Sequence, residues 1–324
     1  MTRKPRLSIG LPVYNGEAYL AQSLDALLGQ TFEDFELILS SNASTDATDD
    51  ICRTYAARDP RIRFYRHRSN MGAAPNHNWV IAQATGEFFK WASADDLYAR
   101  DLLARCIQRL DAHPDAILAH SWTAAVDGAG TVIQAHKYPL NTASRSASER
   151  LHSLLFGGDD LPGAIRADDM YGVIRADVLQ RIKLHDSYYR ADQAFMVELA
   201  LYGPFQQVPD WLYFRRHHPG RAHQAMPTMR TWCANLDPKR ANRLKHPAIR
   251  LVSEYVWAQY AAVRRAPLTP EERRACYYEI SHWLVSRPYR QLTRRSTAID
   301  PSATGHIVSP VAVATKVAGQ PPGP

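Results

Sequence analysis

Long apolar runs are missing from this 324-residue sequence. No stretch of about 18 apolar residues occurs, which excludes the simplest membrane-spanning helix. The opening MTRKPRLSIGLPVYN also lacks an apolar segment followed by a small-residue cleavage site, so the chain reads as unexported and cytoplasmic. Cysteine is scarce. Cys52, Cys106, Cys233 and Cys276 are far apart, with no CxxC pair and no histidine at zinc-finger spacing. That excludes a disulfide scaffold or zinc module and suggests buried free thiols in a reducing compartment. Neither GxGxxG nor GxxxxGK[ST] follows any strand-like run, so the two commonest glycine-rich phosphate cradles are absent. No internal repeat and no nucleic-acid-binding motif occurs, and no nucleic-acid partner is expected.

What remains has a globular composition, 45% hydrophobic and 22% charged. LSIGLPVYN is a short apolar run closed by turn residues, as a buried strand would be. Leu20, Leu24, Leu27 and Leu28 then recur at helical spacing. FELILSS, IRFYRH and EFFKWAS repeat the strand pattern, and NASTDATDDICRTYAA and GAAPNHNWVIAQA lie between them as helices. Ser44, Thr45 and Asp46 are cap-forming residues for the first of these. A further helix over 101–113 leads to the strand AILAHSW. This alternation implies an α/β fold with a mostly parallel sheet and helices on both faces.

The second half is less regular. Helices are expected over 147–156 and 191–203, with a GGDDLPG loop after the first and a strand ending in RRHHPGR after the second. Two helical stripes follow, one of Ile249, Val252, Val256, Tyr260 and Val263, the other of Cys276, Ile280, Trp283 and Leu284. The residues from Ser296 are rich in Pro, Gly, Ala, Ser and Thr and read as a disordered tail.

Open sheets of this type bind ligands at the carboxyl ends of their strands. Those ends carry Tyr14 and Asn15, Ser41 and Asn42, Arg66 and Arg68, and Ser93, Asp95 and Asp96. Adjacent acids at a strand end suit a divalent cation and a phosphate; they equally suit the cap of a helix starting at Leu97. Asn76 and Asn78 are two residues apart on a helix, so only one is expected to face a ligand. His77, His120 and His136 have no visible partners and read as structural.

Taken together, LSIGLPVYNGEAYL, FELILSSNASTDAT and NMGAAPNHNWVIAQATGEFFKWASADDLY resemble the nucleotide-binding half of a family 2 glycosyltransferase. The resemblance runs from about Leu7 to Gly220. It implies a GT-A-type fold, a nucleotide-sugar donor and inverting transfer to an acceptor hydroxyl on a glycan, lipid-linked or small molecule. It places Pro12, Tyr14, Asn15, Ser41, Asn42, Asn70, Gly72, Asn76, Ser93, Asp95 and Asp96 against the donor. Asp95 and His218 become ligands of Mg²⁺ or Mn²⁺, and Arg215, Arg216 and Arg221 pair with the diphosphate. Asp192, in RADQAF, becomes the base for the acceptor hydroxyl; alone it would be read as a helix N-cap. Serines replace family acids at positions 41 and 93, which leaves a catalytically silent nucleotide-sugar-binding protein as the alternative. A sugar nucleotidyltransferase is disfavoured because no GxGxR-like loop follows the first strand.

The implied organisation is a catalytic domain over 1–222, divided at 120 into nucleotide and acceptor halves, a basic helical region over 223–295, and a tail over 296–324. The formal charge of +7 is concentrated in the second of these. Lys239 to Arg295 holds 13 Lys/Arg against 4 Asp/Glu, so the basic C-terminal helices are expected to make peripheral contact with anionic membrane.

Overall fold

The computed structural model describes residues 4–157 and 168–293. Most of the expected GGDDLPG loop and the whole expected tail lie outside the described residues. Strands β1 (Leu7–Val13), β2 (Phe35–Ser41), β3 (Ile62–Arg66) and β4 (Phe88–Trp91) alternate with helices α1 (Leu20–Leu28), α2 (Thr48–Arg58) and α3 (Ala73–Ala82). A two-residue strand β5 (Leu97–Tyr98) precedes α4 (Leu102–Ala112). Then come β6 (Leu118–Val126), β7 (Val132–His136), α5 (Ala147–Phe156), β8 (Val173–Arg175), α6 (Ala176–Leu179), α7 (Ala191–Tyr202) and β9 (Phe205–Arg216). Helices α8 (Ala222–Ala225), α9 (Met229–Leu236), α10 (Ala248–Arg265) and α11 (Pro270–Thr293) complete the described residues.

The sheet runs β3-β2-β1-β4-β8-β6-β9-β5, with β7 paired to β6. Its first four strands are parallel, as the strand-helix alternation requires. Beyond them β8 pairs antiparallel with β4 and β6, whereas β6 and β9 are parallel. The mixed half begins where strict alternation in the sequence ends.

Alternation along the strands sorts side chains into two cores. Leu7, Ile9, Leu11 and Val13 pack with Leu20, Leu24 and Leu27 of α1, Cys52 of α2 and Leu103 of α4. Each fully buried leucine contributes about 2 kcal/mol of apolar transfer. Ile38, Phe89 and Trp91 face the other way, onto Val80 of α3 and Phe195, Met196 and Leu199 of α7. Gly10 lets α3 approach β1, because a Cβ there would stand 2.6 Å from Val80 Cγ2. Helices α10 and α11 share a third core with α5 and α7, built on Tyr255, Val263, Ile280 and Trp283.

Two expectations change. No helix starts at Leu97: Leu97 and Tyr98 pair with Phe214 and Tyr213 of β9, so tertiary pairing overrides a local cap signal. On α10 only the end of the expected stripe reaches the core, with Val263 buried and Tyr260 packed against it; Ile249 is 75% exposed and Val252 is also exposed, while Leu251, Tyr255 and Gln259 point in. All four cysteines are free and buried. Among the described residues no helix is long and apolar enough to cross a membrane.

Candidate functional site

The carboxyl ends of β1 and β2 are laced together by the loops that follow them. Asn15, at φ 50°, accepts from Thr45 N (2.9 Å) through its side-chain oxygen and donates its own N–H to Ser44 Oγ (3.1 Å). Gly16 N donates to Thr48 Oγ1 at 2.8 Å, Glu17 N to Asp46 at 3.1 Å, and Ala47 N to the Glu17 carboxylate at 2.8 Å. Helix α2 has Ala47 as its N-cap with no side-chain cap hydrogen bond, so the expected cap residues work across the site instead, with Asp46 alone also accepting from Thr48 N at 3.1 Å. Tyr14 stands half-exposed at the rim, with Pro12 partly buried behind it.

Several residues placed against the donor by resemblance are used within the protein. Ser41 is buried and donates to Asp49 Oδ1 at 2.5 Å; Asp49 also pairs with Arg66. An acid from α2 thus stands behind the strand end where Ser41 replaces one. The sequence reading missed Asp49, although its place in the first turn of α2 was visible. Asn42 is buried and bonds Asn70 Oδ1, Gly72 O and Met71 N, fixing the turn into α3. Gly72, at φ 93°, lies under the end of α9, where a Cβ would meet Leu236 O and stand 2.9 Å from Asp237 Cα. Asn76 turns inward, donating to Ser40 O at 3.0 Å and accepting from Ser40 Oγ at 2.5 Å. Asn78 clamps the backbone of His185 through two hydrogen bonds, 2.7 and 3.0 Å.

The two adjacent acids separate in role. Asp96 has no exposed surface: it accepts from Tyr213 Oη, from Arg216 N at 2.9 Å and from Arg221 Nη1 at 2.7 Å. It ties the end of β4 to β9 and neither caps a helix nor faces the opening. The side chain of Asp95 is 22% exposed and accepts from Ser93 Oγ, His218 Nε2 (2.9 Å) and Arg221 Nη1 (3.3 Å). Burial opposes its ionisation, but His218, Arg221 and Ser93 outweigh that and hold its carboxyl down to about 2. Asp95 is therefore a fixed anion at the carboxyl edge of the parallel strands.

The cations divide likewise. Arg216 is fully buried, and its guanidinium donates to Asp95 O (2.8 Å), Gly128 O (2.6 Å) and Gln22 Oε1 (2.8 Å) above the Tyr19 ring. It has been placed on the diphosphate by resemblance; here strand alternation turns it into the protein, where it is structural. Arg215 is half-buried on the same strand. Arg221 and His218, on the loop after β9, reach Asp95 instead. Gln22, Gly128 and Tyr213 are the partners that sequence reasoning missed, and no local signal marks them.

No group of three or more His, Cys, Asp and Glu converges among the described residues. Asp95 and His218 nevertheless fit a divalent cation. They share one hydrogen bond, and a cation taking the place of its proton would find a carboxylate oxygen and an imidazole nitrogen side by side, with diphosphate and water oxygens for the other positions. Asp192 lies in the first turn of α7, partly buried, with Arg190 at φ 60° as the helix N-cap. Its Oδ1 accepts from Gln193 N at 2.9 Å, and its charge acts on buried His185. His120 is buried and His77 partly buried, and desolvation pushes each down to about 4; they are neutral at physiological pH.

The family model described as Glycosyl transferase family 2 matches residues 8–170, half of the chain. A protein of Rickettsia typhi named as an uncharacterized glycosyltransferase is 38% identical over 97 residues, covering 30% of this chain and 29% of its own. The chain spans less than half the length of the curated relatives it matches. Among solved structures, S. aureus TarS 1-349 in complex with UDP-GlcNAc superposes with TM-score 0.54 at 18% identity, covering 91% of this chain and 95% of that one. The mannosyltransferase PcManGT from Pyrobaculum calidifontis, in complex with GDP-Man and Mn²⁺, gives 0.50 at 19%, covering 90% and 84%. These likenesses show the fold, which is of GT-A type.

Proposed function

Because the chain belongs to glycosyl transferase family 2, we propose that it transfers a sugar from a nucleotide-sugar donor to an acceptor hydroxyl with inversion. The observation that carries this reading is the ionised Asp95 held beside His218 at the carboxyl edge of the parallel strands. The donor diphosphate lies there, with the base toward Tyr14 and Asn70. TarS with UDP-GlcNAc and PcManGT with GDP-Man support a uridine or guanosine diphosphate leaving group. Asp95 and His218 would hold Mg²⁺ or Mn²⁺, which when bound neutralises charge developing on that leaving group. Arg221 turns from Asp95 to the phosphate oxygens and keeps its bond to Asp96 as an anchor. Asp192 takes the proton from the acceptor hydroxyl on the opposite side. The basic helices α10 and α11 bring the enzyme to an anionic surface carrying a lipid-linked acceptor.

A screen of nucleotide sugars by thermal stabilisation, followed by turnover with the donor it selects, tests the proposal. Asp192→Ala should abolish transfer and leave donor binding within about twofold of the parent. Retained transfer would remove the base assignment. One observation favours the silent alternative: Ser93 and Arg221 already occupy the Asp95 carboxylate. In that case the parent chain binds donor and transfers nothing to any acceptor.

A further inference from the structure

Helix α10 has two apolar faces. Leu251, Tyr255, Ala262 and Val263 are buried, Tyr255 and Val263 in the core shared with α5, α7 and α11. The other face carries Ile249, Val252, Val256 and Trp257, at spacings of three, seven and eight residues from Ile249. Nothing among the described residues covers its outer part: Trp257 is 71% exposed, and Leu244, in the turn leading into the helix, is 95% exposed. Isolated exposed leucines are ordinary, but a stripe at helical spacing with a tryptophan in it is not.

The charge around the stripe identifies what it meets. Residues 239–265 hold seven Lys/Arg and one acid, Glu254, and that acid is already paired with Arg240 and Arg250. Arg243, Lys245 and Arg264 are exposed beside the apolar residues. A second copy of the chain fits poorly, because a twofold contact would set this basic segment against itself. Nucleic acid fits poorly too, since aliphatic side chains form most of the stripe and do not stack on bases. An aliphatic and tryptophan stripe flanked by exposed cations fits the interface of an anionic bilayer.

We infer that the outward face of α10, with Leu244 and the cations Arg243, Lys245 and Arg264, is a docking surface for anionic lipid bilayers. Leu244, Ile249 and Trp257 enter the acyl boundary while the cations stay among the headgroups. This deepens the reading of the enzyme as one that meets a lipid-linked acceptor, yet docking itself requires neither donor nor turnover.

The test is flotation of the full chain with vesicles of phosphatidylcholine alone and of phosphatidylcholine mixed with phosphatidylglycerol. The chain should float only with the mixed vesicles at low salt and be released at high salt. The double variants Arg243→Glu/Lys245→Glu and Ile249→Ser/Trp257→Ser should each lower partitioning at least about tenfold. All four sites are exposed, so the thermal midpoint and UDP binding should stay at the parent's values. Equal flotation with neutral vesicles, flotation with neither kind, or undiminished binding by both variants would overturn the inference. So would concentration-dependent self-association that disappears in Trp257→Ser, since that would assign the face to a second copy. Failure to bind UDP with vesicle binding intact would count against the proposed function alone.

Discussion

Replacing Asp95 with Asn removes the charge at the centre of the site and keeps the shape. The Asp95 carboxyl is held at about 2 against an ordinary value of 3.8, with burial opposing the shift and His218, Arg221 and Ser93 producing it. With the side chain partly exposed, this depression is worth about 2 kcal/mol of stability. A folded-state value below the unfolded one stabilises fully above about pH 4. That contribution is lost as pH falls from 4 toward 2. Urea unfolding of the parent and Asp95→Asn should therefore show a gap of about 2 kcal/mol at pH 7 that is about half as large at pH 3. UDP binding should also lose its dependence on Mn²⁺ in the variant. Equal stability at pH 7, or a gap that does not narrow in acid, would refute the assignment of His218 and Arg221 as the groups that hold Asp95 ionised.

Two further substitutions probe the same region. Ser93→Asp replaces the hydroxyl that donates to Asp95 with a second carboxylate; it should tighten Mn²⁺ binding by about tenfold and cost about 1 kcal/mol without metal, by calorimetry and urea unfolding respectively. Weaker Mn²⁺ binding would mean that position 93 does not face the cation. Gly72→Ala forces a side chain into the left-handed region at φ 93° and against the end of α9. A loss of roughly 2 kcal/mol or more is expected, and a change under about 0.5 kcal/mol would show that α9 does not rest on this turn.

The nucleotide-binding half was legible because its signals are local. Apolar runs closed by Asn and Ser mark β1 and β2, helical spacing marks α1, and their alternation forces parallel pairing. Individual side-chain roles were less legible, because a distant partner decides each of them. Local pattern does not separate Asp95 from Asp96, which only the resemblance told apart; the pairing of β5 with β9, more than a hundred residues on, buries Asp96 against Tyr213 and leaves Asp95 at the opening. The same strand turns Arg216 inward, while the loop after it brings His218 and Arg221 back to Asp95. Three cations in RRHHPGR thus look equivalent until β9 has a neighbour. On α10, periodicity finds an apolar stripe and cannot say which side the protein occupies. There the core takes Leu251, Tyr255 and Val263, and the better-patterned face of Ile249, Val252 and Trp257 is left for a surface outside the fold.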